Sequence, residues 1–427
     1  MARVLFAWEL GRNFGHASGL APIAAELGRR GHVVIAALAN IHEGQRFLPA
    51  EVLLLPTPKA PPLSKSEEAK LGGGPPCTYG DLLAASGYHD ARLLAGLVRT
   101  WRSLLTMARP DVVLYESAPT AMLASRGLPF AKLGFGSGYS IPPRTAPWPP
   151  MLPRLSRPPG ELKRRERALV RTINRVLAQN AIRPIAALND IFDLDATLVK
   201  SVPELDQYGA RSDVEYVGPS YTLDSGAAVA FPRGRGPCVF VYLRPVLTFV
   251  QEAVIRDLNR LPYRFIAVLP AASPEQLARL RQPHIRATAH PVRLDQVTRT
   301  ADLAVCHSAV GTGAAFLFAG VPLLLVHTCI EQEMSARRAI EAGAALEASA
   351  NEPTAHPGLM ARLLQEPGFR EGARRLAQRY GGEGEASRVR LVCDRVERAL
   401  AENGWPPTRP PRRPKGEPAR EARRGRV

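Results

Sequence analysis

The sequence predicts an α/β protein made of two Rossmann-like, doubly wound parallel-sheet domains that face each other across a cleft. Three observations lead there. Strand and helix signals alternate through the first half, a Gly- and Ala-rich break falls at residues 225–236, and a second alternating series of similar size follows it. At 427 residues the chain is long enough for two or three domains. With 45% hydrophobic residues it can bury cores of normal size.

In chain order, the run Val4-Leu5-Phe6-Ala7-Trp8 reads as a strand, residues 20–30 as an amphipathic helix, and residues 33–38 and 52–55 as strands. A long helix over 91–108 leads to 111–115, whose continuous apolar residues suit a strand covered on both faces. Helix 119–126 and strand 130–133 follow. Residues 141–160, rich in Pro and Arg, read as a loop before a charged helix starting near Glu161. Strands 197–199 and 214–217 complete the first domain, residues 1–224. Residues 225–236 read as a linker. The second domain, 237–384, repeats the alternation: strand 238–243, helix 249–261, strand 265–269, helices 274–281 and 294–301, strand 303–306, helix 312–319, strand 323–326 and helix 333–342. Residues 385–403 read as a closing helix. The basic, Pro- and Arg-rich tail 404–427 cannot bury a core and is expected to be disordered.

The formal net charge is +17, of which the tail, with eight Arg/Lys and two Glu, carries +6. Such an excess attracts nucleic acid, anionic lipid or phosphorylated substrates without choosing among them. Basic residues are not interleaved with aromatics as in single-strand binders, so nucleic acid is not an expected partner. The basic run Lys163-Arg164-Arg165-Glu166-Arg167 reads as an exposed helix face. Together with the tail it leaves open a peripheral contact with an anionic membrane, against a purely solubilising role. Five cysteines form no C-x-x-C pair, which points away from a disulfide framework and a structural zinc site. Arg3 runs directly into the first strand with no leader-like segment, and no apolar stretch reaches membrane-spanning length. The expected location is cytoplasmic, peripheral on the inner face of the membrane if lipid is bound.

The strongest local signal is Ala301-Asp302-Leu303-Ala304-Val305-Cys306-His307-Ser308-Ala309-Val310-Gly311-Thr312-Gly313. A strand ends at His307, a tight turn follows, and a helix starts near Thr312. Free N–H groups at such a helix start attract an anion, and His307, Ser308 and Thr312 add donors around Gly311 and Gly313. On this segment alone, a βα turn needing glycine beside a packed histidine is an equal reading. One strand later, Glu331-Gln332 places a pure acceptor beside a mixed donor–acceptor on the same rim, the combination that a sugar's vicinal hydroxyls require.

Over residues 294–345 this pattern, A-D-x-x-V-x-H-x-x-x-G-T followed by G-V-P and E-Q, resembles the donor-binding domain of family 1 glycosyltransferases of the bacterial, antibiotic type. The resemblance implies the GT-B fold and a nucleotide diphosphate sugar, UDP- or dTDP-linked, as co-substrate, with no metal and no other cofactor. It implies that His307 and the Gly311–Thr312 turn hold the diphosphate and that Glu331 and Gln332 hold the sugar. The family's ribose-binding acid falls on Ala315, its base-stacking aromatic near Pro291 and the companion Gln on Leu294. Its Gly-Ser turn is replaced by Arg244-Pro245, where Arg244 offers a phosphate contact instead.

The first half resembles the same family more loosely. Gly11-Arg12-Asn13-Phe14-Gly15-His16 precedes a helix near Ser18, and His16 matches the base that removes the acceptor's proton. Glu116 takes the place of the Asp that orients it. An imidazole on a flexible loop suits that work. The expected reaction is transfer of a hexose to a hydroxyl of a small-molecule or lipid-like acceptor by a single inverting displacement. The acceptor would lie among loops 59–80 and 141–160. A nucleotide-sugar 2-epimerase on the same fold and a non-catalytic nucleotide-sugar or lipid-binding protein are the alternatives. Asp193-Leu194-Asp195 matches a metal-binding D-x-D pattern but reads as a solvated turn far from any phosphate turn.

Overall fold

The computed structural model describes residues 1–11, 15–244, 248–270, 272–349 and 356–405. Arg12, Asn13, Phe14 and Pro245, and the tail beyond residue 405, lie outside the described residues. Seven parallel strands form the first sheet: β1 (Arg3–Trp8), β2 (Val33–Leu38), β3 (Leu53–Pro56), β4 (Val112–Glu116), β5 (Ala131–Gly136), β6 (Ala196–Val199) and β7 (Glu215–Tyr216), in the order β3-β2-β1-β4-β5-β6-β7. Six form the second: β8 (Cys238–Tyr242), β9 (Arg264–Val268), β10 (Ile285–Thr288), β11 (Leu303–Cys306), β12 (Leu323–His327) and β13 (Ala345–Ser349), in the order β10-β9-β8-β11-β12-β13. The strand order reverses between β1 and β4 and again between β8 and β11. In doubly wound sheets ligands bind at the carboxyl ends of strands flanking such a reversal.

Local chemistry explains the elements. All five residues of β4 are buried, as a central parallel strand with helices on both faces requires. The helix Ala91–Ala108 buries Leu94, Leu97, Val98, Trp101, Leu104 and Leu105, an i, i+3, i+4, i+7 stripe. Asp90 caps its start through the Arg92 and Leu93 N–H groups, and Arg109, at φ 45°, ends it. Each Leu or Val buried this way contributes roughly 1.5–3 kcal/mol.

Several boundaries differ from the sequence expectation. The first helix spans Gly15–Arg29 because Ala17 and Gly19 are buried and carry its inner face back one turn, so His16 sits on a helix and not on a flexible loop. The helix Ile330–Glu341 likewise starts early and takes Glu331 and Gln332 into its first turn. The edge strands β10 and β13 and the helices His356–Gln365 and Pro367–Tyr380 lacked a clear sequence signal.

Residues 225–236 are not a free tether. Ala227 pairs with the 291–293 segment through Ala227 N–H to Pro291 O (3.0 Å) and Arg293 N–H to Ala227 O (2.9 Å). The closing helix Glu385–Glu402 packs Val392, Cys393, Val396, Ala399 and Leu400 against the first domain's core beside Phe6 and Leu20. The basic run is not a uniformly exposed face. Arg165 pairs with Asp81 at 2.7 Å, and Glu166, buried, accepts the Trp148 N–H at 2.6 Å. Asp195 ties β6 to β5 by accepting the Lys132 N–H at 2.7 Å, a structural use of the D-x-D acid. Among the described residues, no helix is long and apolar enough to cross a membrane.

Candidate active site between the two sheets

His16 and Glu116 meet at the first reversal. Trp8, the last residue of β1, is in register with Glu116, the last of β4, so the carboxylate lies beside the strand that feeds the His16 helix. His16 donates Nδ1–H to Glu116 Oε2 at 2.5 Å, and its ring stacks on Trp8 at 4.9 Å between centroids. The extra methylene of Glu relative to Asp is thus accommodated. Glu116 is 1% exposed, and its other oxygen accepts from Lys200 Nζ at 2.8 Å. Burial alone would raise this carboxyl, but the charges and hydrogen bonds of His16 and Lys200 outweigh it and hold the pKa at about 2. The other ring nitrogen, Nε2, lies against Gly11, at φ +94°, where a Cβ would collide with it.

The second reversal carries the glycine turn expected to hold an anion, termed the anion turn. His307 follows β11 and Arg244 follows β8. His307 Nδ1 lies 2.8 Å from the Val326 carbonyl, which can only accept, so Nδ1 carries the proton and Nε2 accepts the Arg244 N–H at 2.7 Å. Burial lowers the pKa of this imidazole, helped by the Arg244 charge. The ring is therefore neutral with both nitrogens engaged, and it fixes the backbone of Arg244 instead of offering a donor to the cleft. That departs from the phosphate-donating role implied by the resemblance. The donors left are the backbone N–H groups opening the helix Thr312–Leu317 and the hydroxyl of Thr312. Gly311 takes φ +65°, and Gly313 packs against the Ser308 carbonyl with no room for a side chain.

The helix Ile330–Glu341 supplies the third part. Gln332 Oε1 accepts from Thr328 N–H at 2.8 Å and Thr328 Oγ1 at 3.0 Å, which leaves its amide nitrogen for the cleft. Burial pushes the Glu331 carboxyl above its ordinary value, against the pull of His16 and Lys200 and with the Glu116 charge adding to the rise. Glu331 is thus close enough to the His16–Glu116 pair to feel it across the cleft. Gln207 Nε2 donates to the Glu331 carbonyl at 3.3 Å and ties this helix to the first domain.

One cleft of about 560 Å³ collects these groups. His16, Glu116 and Lys200 line one wall, and Arg244, His307, Ser308, Gly311, Thr312, Glu331 and Gln332 line the other. Gly313 does not line it and acts from behind the turn. Ala315 is buried in the second domain's core and Pro291 is exposed beside the 225–236 segment, so neither faces the cleft. Leu294 does. Two further functional groups had no sequence signal. Lys200 is a lone lysine just after β6. Ser335 is buried one turn beyond Glu331 and holds the anion turn through Ser308 Oγ (3.0 Å) and Ala309 N–H (3.1 Å). Among the described residues no cluster of His, Cys, Asp or Glu is arranged to hold a metal ion.

No family model matches the chain. It is 26% identical over 316 residues to the elloramycin glycosyltransferase ElmGT of Streptomyces olivaceus, covering 71% of this chain and 72% of that protein. The calicheamicin glycosyltransferase CalG4 superposes with a TM-score of 0.68 at 20% identity, over 94% of this chain and 98% of that one. The chain is a glycosyltransferase with the GT-B fold. The glycosyltransferase VinC, solved in complex with DTDP, matches this glycosyltransferase with a TM-score of 0.62 at 15% identity, over 94% of this chain and 100% of VinC. All three are glycosyltransferases, as the sequence resemblance indicated.

Proposed function

We propose that this glycosyltransferase moves a hexose from a UDP- or dTDP-sugar to a hydroxyl of a small-molecule or lipid-like acceptor in one inverting displacement. The observation that carries the reading is the 2.5 Å hydrogen bond between His16 and a fully buried, ionised Glu116, on the cleft wall opposite the anion turn. With Nδ1 committed to Glu116, Nε2 takes the proton from the acceptor hydroxyl as its oxygen attacks the anomeric carbon. The bond from that carbon to the diphosphate breaks, and the proton stays on an imidazolium stabilised by Glu116. The backbone N–H groups of residues 311–313 and the Thr312 hydroxyl take up the charge of the departing diphosphate without calling on a metal. Arg244 adds a positive charge on the same rim. Glu331, as an acceptor, and the Gln332 amide nitrogen, as a donor, would hold the sugar hydroxyls.

Acceptor loops 59–80 and 141–160 are joined by Met151 N–H to Cys77 O at 2.7 Å, and Arg154 pairs with Glu333 across the cleft edge. A cytoplasmic location, with basic residues such as Arg164 and the tail touching an anionic membrane, suits a lipid-like acceptor. Incubation of the purified chain with UDP- or dTDP-hexose and a panel of hydroxylated acceptors should give glycoside of inverted anomeric configuration plus nucleoside diphosphate. Epimerised sugar from donor alone would replace this reading by the epimerase one, and tight donor binding with no turnover by the non-catalytic one.

A further inference from the structure

We infer that Lys200 is the third member of a His16–Glu116–Lys200 charge chain, a positioning residue that acts on transfer through Glu116 and not through the substrate. The inference rests on His16 being the base. Glu116 presents two carboxylate oxygens, and each has one hydrogen-bond donor: Oε2 takes His16 Nδ1–H and Oε1 takes Lys200 Nζ. A carboxylate 1% exposed and held by a histidine alone could relax by sharing its proton or by rotating about its extra torsion. The ammonium removes both routes, because it favours the ionised form and pins the oxygen that His16 does not use.

Lys200 is itself held. Its N–H bonds the Gly136 carbonyl at 2.7 Å, its side chain is 12% exposed, and its ammonium lies over the Phe135 ring at 5.0 Å. A lysine is thus fixed where a longer carboxylate needs a second anchor. The titratable groups facing the chain are His16 from the first helix, Lys200 after β6, Glu331 from the helix across the cleft and Tyr79 from the acceptor side. Lys200 is the ammonium among them, so its loss changes the proton affinity of the His16–Glu116 pair in one direction. Without it the pair binds protons more tightly and the acid limb of the rate moves to higher pH. The competing assignment is a direct phosphate anchor, since Lys200 lies close to Gly19 and Ser220 near the anion turn.

The test is steady-state kinetics of Lys200→Met, which keeps the length and removes the charge, in the wild-type and Glu116→Gln backgrounds. The expected result is a kcat lower by roughly ten- to a hundredfold, the loss of one charge-assisted hydrogen bond, with donor KM unchanged. The acid limb of kcat/KM should shift upward, and Lys200→Met should cost almost nothing further once Glu116 is Gln. An unchanged kcat overturns the inference. So does a loss that falls on donor KM with the acid limb unmoved, the signature of a phosphate anchor. If the single variant does not fold, the double variant, which removes both buried charges, is compared with Glu116→Gln alone. Equal rates support the chain and a further tenfold loss overturns it. Full transfer by His16→Ala would remove the base assignment itself, whereas an inactive His16→Ala beside an unimpaired Lys200→Met would remove only Lys200's part.

Discussion

Both walls of the cleft stand at a reversal of strand order, yet they are wired differently. The first-domain wall is a relay of side chains: His16, the buried Glu116 and Lys200 are joined by hydrogen bonds of 2.5 and 2.8 Å. The second-domain wall is mostly backbone. Its histidine is neutral and tied to main-chain groups at both nitrogens, and its anion donors open a helix. The difference suits the two tasks proposed for them. Moving a proton requires a group whose charge changes, and that group must be stabilised in both states. Holding a diphosphate requires donors that are already aligned and never titrate.

The largest expected effect breaks the first wall. His16→Ala should lower transfer ~10²- to 10⁴-fold, the usual contribution of a positioned general base, with donor affinity almost unmoved. Glu116→Gln should cost less. Single-turnover rates and donor titration together check the pair, and an active His16→Ala enzyme removes the mechanism while leaving the fold and the anion turn intact.

A pair of glycines compares the walls directly. Gly11→Ala puts a methyl into His16 Nε2, and Gly313→Ala puts one into the Ser308 carbonyl. The first should lower kcat with donor binding retained. The second should weaken donor binding and cost about 1–3 kcal/mol of stability, as overpacking usually does. Thermal shift with and without nucleoside diphosphate separates them. The same response from both variants would mean that the walls are not independent.

A smaller effect contrasts two buried glutamates of the first domain. Glu116 is held by His16 and Lys200, and its carboxyl is lowered to about 2. Glu9, which accepts the Thr120 N–H at 2.9 Å, is raised by burial from 4.5 to about 7. The native state therefore holds a proton on Glu9 that the unfolded chain releases, so stability is highest below pH 4.5 for this group and falls as pH rises towards 7. Relative to Glu9→Gln, the wild type should lose about 3 kcal/mol across that window, seen as a falling melting temperature. A parallel pair of melting curves against pH would show that Glu9 titrates normally.

The smallest expected effect lies in the nucleoside end. Ala315 is 4% exposed and faces the core, so no acid there reads a ribose 2′-hydroxyl. UDP and dTDP should bind within about tenfold of each other, ~1.4 kcal/mol. Isothermal titration with both would decide it, a hundredfold preference for UDP pointing to another ribose acceptor in the cleft.

The sequence by itself determined the two sheets, because parallel strands buried on both faces must be written as apolar runs such as Val112-Val113-Leu114-Tyr115. It also determined two long helices, whose apolar stripes are local: residues 91–108 were legible to the residue and 385–402 to within one. The glycine turn after β11 was legible because His307, Gly311, Thr312 and Gly313 are neighbours in the chain. Edge strands β10 and β13 were not, since an edge pairs on one side and Ile285-Arg286-Ala287-Thr288 carries little apolar signal. Only the tertiary structure decided what depended on residues far apart. It brought Lys200 to Glu116 across 84 positions and Ser335 to the anion turn. It gave His307 its tautomer through the Val326 carbonyl, and it returned the last helix to the first domain's core. Periodicity records which face of an element is buried. It does not record which buried polar group will find which partner, because that is settled by three-dimensional packing and by the cost of leaving such a group unpaired.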